Sequence, residues 1–254
     1  MSYIAANNTY VYNIYEQTII NVLSTDKENF LNNSSIKGIF GVDVDFGKLY
    51  CRQIVEEFPE YKEAICNGFY KTHIDNFIKL GNQEQFYADE LNTMITANAA
   101  RYIYHAILIY KYMKNKFNMA ELDVVEIGGG YGGLCYWLRV LCSSIIDYTI
   151  IDLPAPGKLQ EYCLNKLGTA FTSVNNVEKY TKSSRPLFVI SNYGYSEFNE
   201  YYQTLYKNKI INMAVGGFMV WNNWSGVINF TNLPMTIEGE RPEFKDCPNK
   251  FIYF

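Results

Sequence analysis

The sequence predicts an α/β protein: a helical N-terminal region of about 120 residues, then a parallel, doubly wound sheet. Three observations predict it. Up to about residue 120 apolar residues recur at helical spacing. From Asp123 onward the pattern changes to short apolar runs that end in turn residues. The first of these runs passes into Gly128-Gly129-Gly130-Tyr131-Gly132-Gly133, where glycines let the backbone take positive φ and approach a ligand closely.

In chain order, Tyr10 to Leu23 is the first expected helix, Phe46 to Phe58 the second, and Glu60 to Leu80 a less regular third. Asn98 to Asn115 is the clearest, with Ala99, Ala100, Ile103, Ala106, Ile107 and Tyr110 at helical spacing and Thr96 as N-cap. Asp123 to Gly128 is the first strand, and the glycine loop after it opens a helix over Leu134 to Leu141. Further strands are expected at Asp147 to Leu153, Ala170 to Val174, Leu187 to Asn192 and Gly217 to Asn222, with a helix near Glu197 to Lys207. A terminal pair around Met235 to Glu238 and Lys250 to Phe254 completes the sheet. Residues 1–120 are expected to form a lid over the cleft or the interface of a homo-oligomer, and residues 121–254 the ligand-binding domain.

The net charge of -4, with Lys and Arg scattered, argues against nucleic acid as a partner. Lys111, Lys114 and Lys116 read as the solvated end of a helix. The six cysteines lack the close spacing of a zinc motif, and the longest apolar stretches are too short to span a bilayer. With no signal peptide at the start, a reduced, cytoplasmic protein is expected.

Two cofactor classes use such a glycine loop. Gly128, Gly130 and Gly133 satisfy the dinucleotide fingerprint of an NAD-dependent oxidoreductase, but that fold usually begins with this strand and lacks a long helical region before it. Glu126, two residues before the first glycine, with glycines alternating at 128, 130 and 132, resembles motif I of class I methyltransferases. Asp152, at the end of the next strand, can accept both ribose hydroxyls of either cofactor; otherwise it caps the loop before Pro154.

Three segments together resemble the sugar O-methyltransferase family, a class I branch dependent on S-adenosylmethionine. They are Val124 to Gly133, Ile151-Asp152-Leu153-Pro154, and Ile190 to Phe198; the helix from Asn98, with Arg101 and Tyr102, is also similar. The resemblance implies a Rossmann-like, seven-stranded sheet with its last strand antiparallel, S-adenosylmethionine as cofactor, and a sugar or sugar nucleotide as acceptor. The alternatives are another small hydroxylated acceptor, or a non-catalytic protein that retains the fold. The resemblance also implies site residues. Glu126, Gly128, Gly130 and Gly132, with Tyr131 between them, would line the methionine side, Asp152 the ribose and Leu153 the adenine. Asn192 and Tyr193 would contribute cofactor and acceptor contacts.

A sugar hydroxyl is a poor nucleophile at neutral pH, so a general base is expected within reach. Glu197 is the first candidate, because ligands bind at the carboxyl ends of strands in open α/β sheets; its other reading is a helix N-terminal acid. Glu238 in a charged turn and His73 before motif I are further candidates, whereas His105 reads as a packed histidine. Trp221, Asn222, Asn223 and Trp224 follow the fifth strand, as a platform for a sugar ring or as core. A divalent cation could be held by acidic groups near the cleft, but no spacing demands one.

Overall fold

The computed structural model describes residues 9–118, 121–222, 226–243 and 248–254. Helices α1 (Thr9–Thr25), α2 (Ser34–Phe40), α3 (Val44–Glu57), α4 (Lys62–Asn67) and α5 (Phe69–Phe77) come first. A hairpin of β1 (Gln85–Ala88) and β2 (Thr93–Thr96) leads into the long α6 (Ala97–Phe117). Then β3 (Leu122–Ile127), α7 (Gly133–Leu141), β4 (Ile145–Ile151), α8 (Pro154–Lys166) and β5 (Thr172–Val174) alternate. The second half comprises β6 (Leu187–Asn192), α9 (Gly194–Glu197), α10 (Glu200–Lys209), β7 (Ala214–Trp221), β8 (Thr236–Gly239) and β9 (Lys250–Tyr253).

Local chemistry sets many of these boundaries. Asn33, Asp43, Thr96 and Asn199 accept backbone N–H bonds at the starts of α2, α3, α6 and α10. The third expected helix is two helices, because Gly68 leaves helical geometry (φ -107°, ψ -154°) between α4 and α5.

Seven strands form one sheet in the order β5-β4-β3-β6-β7-β9-β8. All neighbouring pairs are parallel except those made by β9, which runs antiparallel to both β7 and β8. The chain is therefore a mixed α/β protein with the expected seven-stranded, mostly parallel sheet and antiparallel last strand. Every residue of β3 is buried. Its alternate side chains divide between two cores: Leu122 and Val124 join one, Val125 and Ile127 the other. The first core runs without interruption from Phe30, Tyr50 and Phe77 of the N-terminal region through α6 to Ile150, Ile190 and Val220 of the sheet. Among the described residues no helix is long and apolar enough to cross a membrane.

Candidate functional site

The glycine loop joins β3 to α7 in five residues, and Gly128, Gly130 and Gly132 turn it with φ of +76°, +57° and +89°. An L side chain pays for such angles at each position. The loop is fastened to the neighbouring strand, with the Gly128 N–H donating to the Ile151 carbonyl at 3.0 Å. A Cβ added at Gly128 would meet the Gly194 Cα at 3.5 Å, so the loop packs closely against the start of α9, just past the tip of β6. At Gly130 a Cβ would meet the Phe40 ring at 3.4 Å and the Tyr102 hydroxyl at 3.5 Å, which brings α2 and α6 to the loop's edge.

Asp152, half-buried at the tip of β4, holds the loop from the other side. Its Oδ2 accepts from the Gly129 N–H at 3.0 Å and from Gln160 Nε2 at 2.8 Å, and its Oδ1 accepts from the Leu153 N–H at 2.8 Å. Burial pushes its pKa up to about 6 against the pull of these bonds. Leu153 is half-buried at the N-cap of α8. Glu16 of α1 accepts from the Ala155 N–H at 3.2 Å, so α1 covers this corner. Glu126 lies beneath the loop, 2% exposed, and accepts the Tyr148 hydroxyl at 2.8 Å. Burial raises its pKa to about 8. Tyr131 turns inward and is fully buried, its ring edge-on to Phe30, Phe40 and Tyr102.

The tip of β6 carries a second polar cluster. Tyr193 has φ +67° and ψ -37°, an uncommon conformation for a bulky residue, with its N–H bonded to the Val220 carbonyl at 2.8 Å. Its phenol donates to Glu240, whose other oxygen accepts from Asn249 Nδ2 at 2.8 Å. His105 is fully buried, with Nδ1 3.0 Å from Asn192 Nδ2 and Nε2 4.0 Å from Glu240 Oε1. With the Asn192 amide donating, the imidazole proton sits on Nε2, toward Glu240. Burial, with a smaller contribution from the Arg101 charge, brings the His105 pKa down to about 3, so the ring is neutral.

The three base candidates fall in different places. Glu197, half-buried at the end of α9, accepts from Asn222 Nδ2 at 3.0 Å, and burial raises its pKa. Glu238 on β8 is ion-paired to Arg241 at 3.2 Å. His73 on α5 bonds the Tyr136 hydroxyl through Nδ1 at 2.7 Å and packs against Phe69 and Trp137, on the interface with α7. Trp221 is core, stacked on Phe230 with ring centroids 5.3 Å apart, and Asn222 is buried; Asn223 and Trp224 lie outside the described residues. No group of three or more metal-ligating side chains is assembled among the described residues.

No family model matches the chain, and no curated protein matches it. Among the solved structures that resemble it are methyltransferases. The mitomycin 7-O-methyltransferase MmcR is 11% identical, over 97% of this chain and 68% of that one, with a TM-score of 0.43. The methyltransferase domain of bacterial CtHen1-CN is 11% identical over 59% and 96% of the two chains, with a TM-score of 0.44. A SAM-dependent methyltransferase from Aquifex aeolicus is 13% identical over 57% and 87%, with a TM-score of 0.40.

The cluster at the β6 tip contains Glu240, which the sequence reading passed over, and His105, which is the packed histidine expected of it. Glu240 follows β8, and because β8 is parallel to β3, β6 and β7, its carboxyl end falls on the same edge as theirs. His105 reaches that edge because Asn98, Arg101, Tyr102 and His105 recur at three- and four-residue intervals along α6, which puts them on one face. That spacing was the available signal; it marks a helix face but does not say what the face meets.

Proposed function

We propose that the chain transfers the methyl group of S-adenosylmethionine to a hydroxyl of a sugar or sugar nucleotide. One observation carries the cofactor: a loop turned by three positive-φ glycines at the end of β3 is hydrogen-bonded to Asp152 at the end of β4. The sheet order reverses between β3 and β6, beside this loop, and ligands of open α/β sheets bind there, outside the carboxyl ends. In this reading Asp152 takes the ribose, Leu153 borders the adenine, and Gly128, Gly130 and Gly132 lie along the methionine end. Glu126 and Tyr131 support the loop from below, while Asn192 and Tyr193 face the end where transfer occurs.

The bound cofactor supplies an already activated methyl group, so the protein contributes alignment and a place for the acceptor's proton. Glu197 is the favoured base: it stands at the strand edge, and burial moves its pKa toward neutrality, where a base works best. Glu238 is ion-paired to the Arg241 cation and His73 is packed on the interface of α5 with α7, so both are weaker candidates. The sugar acceptor rests on the resemblance of the motif segments, and neither nucleic acid nor a membrane is part of the reading.

Calorimetric titration with S-adenosylmethionine, S-adenosylhomocysteine and NAD tests the cofactor. Binding of both adenosyl ligands but not NAD is expected, with affinity falling at least about tenfold in Asp152→Ala, the scale of a lost hydrogen bond to a charged group. Binding of NAD alone would replace this reading with an oxidoreductase.

A further inference from the structure

A cavity of about 330 Å³ lies between α2, α3, the start of β1 and α6. Ala97 and Asn98, both buried, form its floor, and the exposed Asp43, Asp45 and Glu84 form its rim. The floor carries an unmet demand. Asn98 is 4% exposed, and its Oδ1 has no hydrogen-bond partner. A buried oxygen in that state calls for a donor. Donors line the same cavity. Both α3 and α6 begin there, and the first N–H groups of a helix have no intrahelical acceptor. The caps serve only the third in each helix: Asp43 accepts from the Phe46 N–H at 2.8 Å, and Thr96 from the Ala99 N–H at 3.2 Å. The N–H groups of Val44, Asp45, Ala97 and Asn98 come before these, and all four residues border the cavity.

A ligand that both donates and accepts answers both demands. Hydroxyl groups do so, whereas an ammonium only donates and a phosphate only accepts. The charges agree: even with Asp45 3.9 Å from Lys48, Asp43 and Glu84 outnumber Lys37 around the cavity, so a diphosphate meets a like-charged rim. Two elements tie the cavity to the site. Gly41 on its wall follows Phe40, whose ring stands 3.4 Å from a Cβ built on Gly130. Asn98 precedes His105 by two turns of α6, about 10 Å along the helix axis. Resting on the acceptor reading above, we propose that this cavity holds an uncharged sugar ring of the acceptor, next to the ring that is methylated. Its hydroxyls donate to Asn98 Oδ1 and the rim carboxylates, and accept from the helix N–H groups. The acceptor is then an uncharged oligosaccharide, not a sugar nucleotide.

Nitrogen-15 NMR on the full chain tests this. Methyl glycosides of glucose, galactose, mannose and N-acetylglucosamine, and UDP-glucose, are titrated with and without S-adenosylhomocysteine. The reporters are the Asn98 side-chain amide, identified by its loss in Asn98→Leu, and the backbone N–H signals of Val44 and Ala97. At least one methyl glycoside is expected to shift all three signals saturably at millimolar concentration, with UDP-glucose binding no more tightly than methyl glucoside. By the Val44 and Ala97 signals, affinity for that glycoside should fall about tenfold in Asn98→Leu, the scale of one lost hydrogen bond. Val44→Trp, which fills the cavity from α3 and leaves Asn98 in place, should abolish the shifts. The proposal is overturned if no glycoside moves the three signals, if UDP-glucose binds there more tightly than methyl glucoside, or if both variants bind as the wild type does. Should neither variant fold, the wild-type titrations decide alone. S-adenosylhomocysteine is followed in the same spectra through the glycine-loop signals. Its failure to bind removes the cofactor reading and leaves the cavity to be judged by the sugars, whereas bound S-adenosylhomocysteine with silent sugars removes this inference alone.

Discussion

Glu240 shows how much one carboxylate organises at the tip of β6. It accepts the Tyr193 phenol on one oxygen and the Asn249 amide on the other, with His105 Nε2 at 4.0 Å. Tyr193 holds a positive φ, a conformation that persists only where surrounding structure over-determines it, and the bond to Glu240 is part of that constraint. Removing the carboxylate leaves buried donors without an acceptor, which costs more than removing one donor. Glu240→Ala is expected to lower stability by about 3–5 kcal/mol, on the scale of a broken buried polar network. Tyr193→Phe, which removes one donor and leaves the carboxylate otherwise satisfied, is expected to cost about 1–2 kcal/mol. Urea unfolding of both variants checks the order; equal costs would mean that the network does not act through Glu240.

The glycine loop is where local sequence and tertiary packing coincide. Gly132 and Gly168 both have positive φ, +89° and +66°, but their surroundings differ. A Cβ on Gly132 would stand 2.8 Å from the Leu164 side chain, whereas one on Gly168 meets nothing within 4 Å. Gly168→Ala therefore carries only the backbone cost, about 1–2 kcal/mol. Gly132→Ala adds overpacking against α8, for a total of about 2–4 kcal/mol. S-adenosylhomocysteine affinity is expected to fall in Gly132→Ala and to stay level in Gly168→Ala, with urea midpoints and calorimetry as the measurements. This loop was legible in the sequence because its three positive-φ turns call for glycine at fixed intervals, and the strands around it were legible as apolar runs. The β1–β2 hairpin escaped: its strands have four residues each, and the turn uses Asn92 in the left-handed region instead of a glycine. The meeting of Arg101 and His105 with Glu240 escaped for a different reason, although the first two residues were read from the sequence. Its members are brought together by the docking of α6 on the sheet and by the direction of β8, and both are tertiary outcomes.

At the scale of the whole molecule, the continuous core binds the N-terminal helices to the sheet, and it also buries titratable groups whose charging the folded state resists. They act in opposite directions. Burial lowers His105 from 6.5 to about 3, so between these values the unfolded chain binds the proton and the native one does not; stability is lost as pH falls through that range. Burial raises Glu126 from 4.5 to about 8 and Asp152 from 3.8 to about 6, so the native state binds protons that the unfolded chain has released; stability is lost as pH rises through those ranges. From about pH 4.5 to 6 the two carboxyl groups outweigh the single imidazole, and above pH 6.5 Glu126 acts alone among the three. Melting temperatures of the wild type, Glu126→Gln and His105→Gln, taken from pH 4 to 8.5, separate the contributions as differences. The melting temperature of Glu126→Gln should rise relative to wild type as pH increases from 4.5 to 8, because a neutral amide never has to charge beneath the loop. That of His105→Gln should rise relative to wild type as pH decreases below 6.5. A pH-independent offset for Glu126→Gln would mean that this carboxyl group ionises as freely in the fold as in water, and that the floor of the glycine loop is open to solvent.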